Sequence, residues 1–248
     1  MRKEPFTVGN YVHVYNRGNR KTLIVEDAKD RWRFLQMLYY FNTESSTGSP
    51  LQDAKKRLKS DFNTSLIWPH GWPLQKPIVK ILAFVLMPNH YHLLLKEITE
   101  GGVTTFMRKL GTGWTNYFNT KYGEVGRLFQ GAYKSKTILK EEYLKHLSVY
   151  IQVKNTFELY PGGLNRAIKE FSKAYEWSTN YPYCSLADYA RNRSSPIIDK
   201  DLLGELFDTP QEYKNFAKGT IETLEEQLED LVVESFREDL LKSDFNRS

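Results

Sequence analysis

The chain has 248 residues, 40% of them hydrophobic, enough to bury the core of one large domain. Its single cysteine, Cys184, excludes an intrachain disulfide framework and a cysteine-rich zinc site, and its longest apolar run, IVKILAFVLM, is broken by Lys80 and far shorter than a bilayer span. The formal charge of +5 hides an asymmetry: residues 201–248 hold thirteen acidic and five basic side chains, a net of −8, which leaves about +13 on the first 200.

The opening MRKEPFTVGN has no apolar signal region, so the expected place is the cytoplasm. NYVHVYNRG (10–18) reads as a first strand that runs into a basic loop, NRGNRK, and EDAKDRWRFLQMLYYF (26–41) as an amphipathic helix. Residues 43–77 are rich in Ser, Gly, Pro and Lys. They read as an inserted connection with one short helix at Asp53–Leu58. PIVKILAFVLM and HYHLLLKEI are separated only by Pro88-Asn89, which predicts an antiparallel hairpin; the first of the two is apolar on both faces and is expected to be central. VTTFMRKLGTGWTNYFNTKYG follows as a helix weakened or bent at Gly111 and Gly113, then GRLFQGAYKSKTIL as a fourth strand and KEEYLKHLSVYIQVKN as a third amphipathic helix.

The expected fold class is therefore α+β: an antiparallel sheet with helices mainly on one face, ferredoxin-like or RRM-like. Residues 1–200 form the main domain, with 156–200 wrapping its core. Residues 201–248 form an acidic helical extension, either a solvated helix pair or a cover that competes for the basic body.

On a strand, His90 and His92 point to one face and Tyr91 to the other. Two converging imidazoles suit a divalent metal with an open coordination sphere, while the same spacing also describes two half-buried histidines bonded to loops. The +13 body, with 14% aromatics over the whole chain, suits phosphate attraction and base stacking. The DNA-contact candidates are Arg17, Asn19, Arg20 and Lys21 in the first loop, Arg108 and Lys109 on the second helix, and Arg127, Lys134 and Lys136 at the fourth strand.

AFVLMPNHYHLLL resembles the strand-borne His-hydrophobic-His motif of the HUH transposases with a single catalytic tyrosine, especially the REP-associated tyrosine transposases. YVHVYNRGNRK is similar to that family's first strand and basic loop, and GRLFQGAYKSKTI to its fourth-strand segment. The resemblance implies a nucleophilic tyrosine on the following helix, and HLSVYIQVKNTF aligns Tyr150 with it. It implies Mg²⁺ or Mn²⁺ on His90 and His92, a 5′-phosphotyrosine intermediate, and single-stranded or hairpin DNA as partner at the nucleoid, compatible with a homodimer. The family's third ligand, an Asn or Gln four residues after the tyrosine, falls on Lys154, which has no lone pair to offer a metal; Asn155 and His146 are the alternatives. Two other readings stay open: a catalytically weak nucleic-acid-binding module on the same fold, and a metal-dependent phosphodiesterase that activates water.

Overall fold

In the computed structural model, which describes residues 6–44, 76–190 and 193–223, four strands form one sheet. They are β1 (Tyr11–Arg17), β2 (Val79–Leu86), β3 (His90–Glu97) and β4 (Lys134–Ile138), in the spatial order β2-β3-β1-β4 with every pairing antiparallel. Helix α1 (Ala28–Tyr40) joins β1 to β2, and α2 (Gly102–Tyr122) joins β3 to β4. This is the β-α-β-β-α-β order expected of a ferredoxin-like sheet. The helix expected at Asp53–Leu58 and the acidic tail beyond residue 223 lie outside the described residues.

Alternation along the strands sorts the two faces. Val12 and Val14 of β1 and Tyr91, Leu93 and Leu95 of β3 form one core with Phe34, Leu35 and Leu38 of α1 and Phe106, Leu110 and Trp114 of α2. Each such fully buried side chain contributes roughly 1.5–3 kcal/mol. A capping box starts α1: the Asp27 side chain accepts from the Asp30 amide, and Asp30 reciprocates. Helix α2 runs through Gly111 and Gly113 without a break. A Cβ on Gly113 would come within 2.6 Å of the Phe41 ring, so the glycine is there to let the two helices approach.

The opposite face is also covered, which the sequence did not suggest. α3 (Glu141–Val149), a π-helical turn (Tyr150–Lys154) and α4 (Asn155–Glu158) run across it as one continuous helix. Behind them come α5 (Gly163–Lys169), α6 (Phe171–Thr179), α7 (Leu186–Tyr189), α8 (Asp201–Glu205) and a last helical stretch, 210–223. Leu82, Val85 and Leu94 of the sheet, Leu147 and Ile151, and Leu203, Phe207, Tyr213 and Ile221 share this second core. The described part of the C-terminal extension is thus packed against the sheet. Asp201 fastens it, accepting from Tyr11 Oη (2.5 Å), Lys80 Nζ (2.7 Å) and Lys96 Nζ (2.8 Å), and these donors hold its carboxyl well below the usual range despite burial, which opposes them.

Two strand expectations need correction. β2 is terminal in the sheet rather than central. Its outer edge is met by Tyr183, Ser185 and Asp199: Leu86 N–H donates to Tyr183 O, Ser185 N–H to Phe84 O, and Asp199 N–H to Ile81 O. That cover is why an edge strand can be apolar on both faces. β4 begins only at Lys134, because Leu128 and Phe129 are loop anchors buried under the sheet rather than strand residues.

Candidate functional site

The site lies on the second face, at the end of the sheet where the β2–β3 hairpin turns. The two-residue turn Pro88-Asn89 is closed by Met87 N–H donating to His90 O at 2.9 Å, which sets the register of β3. Register then pairs Arg17 with His90 and Tyr15 with His92 across β1, and Tyr15 with Lys134 and His13 with Lys136 across β4. Because side chains alternate, His13, Tyr15 and Arg17 share a face with both imidazoles and both lysines.

His90 and His92 have ring centroids 5.2 Å apart at 89°. Nδ1 of His90 meets Asn89 Oδ1 at 2.7 Å, and Nδ1 of His92 meets His13 Nε2 at 3.0 Å. With both Nδ1 atoms engaged, Nε2 is the nitrogen left to act on each ring. On His92, whose side chain is 1% exposed, Nε2 is buried and has no hydrogen-bond partner among the described residues. Such an orphan is a costly arrangement unless something binds it. Burial keeps all three rings neutral: it holds His13 down to about 3 and His90 to about 4, and with the neighbouring histidines it holds His92 well below the usual imidazole range. Neutral imidazole is the form that ligates metal.

Tyr150 sits on the helix that crosses this face. Its ring stands edge-on to His92 at 5.3 Å and to His13 at 6.4 Å. It is 4% exposed, and burial first, then the Glu158 charge, raise its hydroxyl above the ordinary phenol range, while Arg17 pulls the other way. The helix is locally unwound here. The backbone N–H of Asn155 bonds Tyr150 O, five residues back, and Asn155 Nδ2 donates to the same carbonyl at 2.7 Å. Thr156 Oγ1 donates to Gln152 O (3.0 Å) and Val153 O (2.8 Å), taking up carbonyls freed in the wide turn. A π-helical turn holds one extra residue, so Asn155 occupies the place one turn beyond Tyr150 that residue 154 would take in a regular α-helix. The Asn155 side chain lies near enough to His90 to bear on its protonation.

His146 is not part of this cluster. Its Nδ1 faces Thr220 Oγ1 at 3.3 Å and its ring packs on Phe216 at 5.0 Å, so it belongs to the contact between α3 and the last helix. Among the described residues no three His, Cys, Asp or Glu side chains come together as a group that could hold a metal ion.

Of the expected DNA-contact residues, Arg17, Lys134 and Lys136 line the same face as the imidazoles, and Asn19, Arg20 and Lys21 form an exposed turn just beyond Arg17. That turn is tight: a Cβ on Gly18 would lie 2.1 Å from Thr22 O, and Arg20 and Lys21 adopt left-handed φ of 52° and 64°. Arg127 is exposed next to the Leu128 anchor, whose carbonyl accepts from Asn19 N–H at 2.8 Å. Arg108 and Lys109 are on α2, which packs on the other face, and Lys109 Nζ is used on Thr43 O at 2.6 Å. The residues that sequence reasoning missed are His13, Tyr15 and Asn89. Alternation in YVHVYNR already put His13 and Tyr15 on the face of Arg17, but only the register shows what they meet.

Residues 74–154 match the family described as "Transposase IS200 like". Among solved structures, the chain is similar to a REP-associated tyrosine transposase bound to a REP hairpin, at 15% identity and a TM-score of 0.41, covering 79% of this chain and 88% of that one. It is also similar to a candidate transposase from Deinococcus radiodurans R1, at 15% identity and a TM-score of 0.31, covering 61% of this chain and 95% of that one. No curated protein matches the chain.

Proposed function

From the match of residues 74–154 to the IS200-like transposase family, we propose that this chain cuts and rejoins single-stranded DNA by way of a covalent 5′-phosphotyrosine on Tyr150. The observation that carries the reading is the placement of Tyr150 edge-on to His92, 5.3 Å away, on the face that also carries His13, His90 and the cations Arg17, Lys134 and Lys136.

The donor set fits a hard or borderline divalent cation such as Mg²⁺ or Mn²⁺: Nε2 of His90, the orphaned Nε2 of His92, and Oδ1 of Asn155. Asn89 and His13 hold the two rings by their Nδ1 atoms, as partners behind metal ligands commonly do. When bound, the cation would neutralise charge on the scissile phosphate and polarise it toward attack. Tyr150 contributes the nucleophile: its oxygen bonds to phosphorus as the bond to the 3′-oxygen breaks, the phenolic proton goes to solvent, and the 3′-oxygen takes one up. Phosphodiester energy is kept in the tyrosine ester, so a later 3′-hydroxyl can rejoin the strand. Arg17, Lys134, Lys136 and the 19–21 turn supply phosphate contacts around the site, which set register and affinity rather than sequence. Among the described residues no helix is long and apolar enough to cross a membrane, and a chromosomal DNA substrate would place the protein at the nucleoid.

Labelled single-stranded hairpin DNA incubated with Mn²⁺ tests the reading. The expected result is a denaturation-resistant protein–DNA adduct in the wild type and none with Tyr150→Phe. Cleavage without an adduct would point instead to hydrolysis by activated water, and binding without cleavage to a recognition module.

A further inference from the structure

We propose that Lys154 is a catalytic residue of this site, its ammonium contacting the scissile phosphate as Tyr150 attacks, with Glu158 holding it in reserve until the strand arrives. The inference rests on Tyr150 being the nucleophile. Lys154 is the residue the π-helical turn displaces. The extra residue carries Asn155 round to His90, and Lys154 is left beside the tyrosine, its Nζ 5.4 Å from the centroid of the Tyr150 ring. The ammonium lies near enough to both imidazoles for its charge to oppose their protonation.

Its present counter-ion is Glu158, one turn further on, with which it forms a short ion pair. The two side chains are 23% and 36% exposed, so a substrate can reach them. An i,i+4 pair of this kind is weak and yields readily to a stronger anion. Glu158 is also near Tyr150 and His90, where its charge acts against that of Lys154 and Arg17. A phosphate beside Tyr150 therefore meets two opposed groups on one helix face: an ammonium that attracts it and a carboxylate that competes for the ammonium and repels the phosphate. Lys154 transfers no proton in this scheme. It neutralises the non-bridging oxygens while the Tyr150 oxygen–phosphorus bond forms and the phosphorus–3′-oxygen bond breaks, the role that placed cations play wherever phosphoryl groups are transferred.

The opposed charges give a test that a purely structural ion pair would fail. Adduct formation on single-stranded hairpin DNA with Mn²⁺ should slow on the order of tenfold or more in Lys154→Met, stay close to wild type in Lys154→Arg, and quicken in Glu158→Gln. Mn²⁺ affinity measured by electron paramagnetic resonance, without DNA, should be unchanged or tighter in Lys154→Met, since a nearby positive charge is gone. If Lys154→Met and Glu158→Gln slow the reaction alike, the pair only stiffens the helix and the proposal is overturned. A Lys154→Met protein that forms adduct at the wild-type rate overturns it equally. Absence of adduct in the wild type would instead overturn the tyrosine reading on which it stands. Melting curves on each variant confirm that rate changes are not losses of fold.

Discussion

The two faces of the β3 strand differ by a single residue step. Tyr91, Leu93 and Leu95 enter the core beneath α1 and α2, while His90 and His92, one position out of phase, face Tyr150 and β1's His13, Tyr15 and Arg17. One strand thus supports the fold with its odd positions and lends its even ones to the proposed site. The second face is not solvated as a half-open antiparallel sheet would be. It is roofed by the tyrosine helix and by 201–223, so His13, His92 and Tyr150 are buried, while Lys134 and Lys136 stay exposed at its edge.

The sharpest way to break the comparison is to remove an even-position imidazole. His92→Ala should abolish Mn²⁺ binding and reduce adduct formation on the order of 10²–10³-fold, the scale of several kcal/mol of charge stabilisation, while the protein stays folded, since the orphaned buried nitrogen removed offsets part of the cost of the cavity and of the lost His13 bond. An odd-position change should do the reverse. Leu93→Ala, at a fully buried site, should cost about 2–5 kcal/mol in chemical denaturation, with the protein that remains folded keeping its metal affinity.

His13 tests whether the groups behind the ligands matter. His13→Phe keeps the ring volume and removes the bond to His92 Nδ1, and metal affinity read by calorimetry should fall roughly 10–100-fold. The smallest expected effect belongs to the far end of the same face. Asp201 has its carboxyl pulled below the ordinary carboxylate range by Lys80, Lys96 and Tyr11 against the opposing effect of burial, so its contribution is present above that range and is lost as pH falls through the lower folded value. Asp201→Asn should cost about 1–2 kcal/mol near neutral pH, with the difference from wild type shrinking when melts are repeated below about pH 4, the ordinary range for a carboxylate.

How much of this was legible in the sequence follows from how local each feature is. The hairpin was visible because Pro88-Asn89 interrupts two apolar runs, and the shared face of His90 and His92 follows from strand periodicity alone. His13 was not visible as a site residue: a histidine in YVHVY fits any polar strand position, and its partner is 79 residues away. The π-helical turn leaves no local signature either, since YIQVKN is compatible with a regular helix, in which Lys154 rather than Asn155 would point at the histidines. β2 looked central because the residues that meet its edge, Tyr183, Ser185 and Asp199, lie among loop and turn formers. The 126–133 segment looked like strand because alternating basic and apolar residues also describe a loop pinned by Leu128 and Phe129.

The most direct measurement is to trap the wild-type adduct with Mn²⁺ and single-stranded hairpin DNA, digest both components, and locate the nucleotide by mass spectrometry among the sixteen tyrosines. The account predicts a 5′-linked nucleotide on the peptide carrying Tyr150. A nucleotide on any other residue, or cleaved DNA with every tyrosine unmodified, would contradict it.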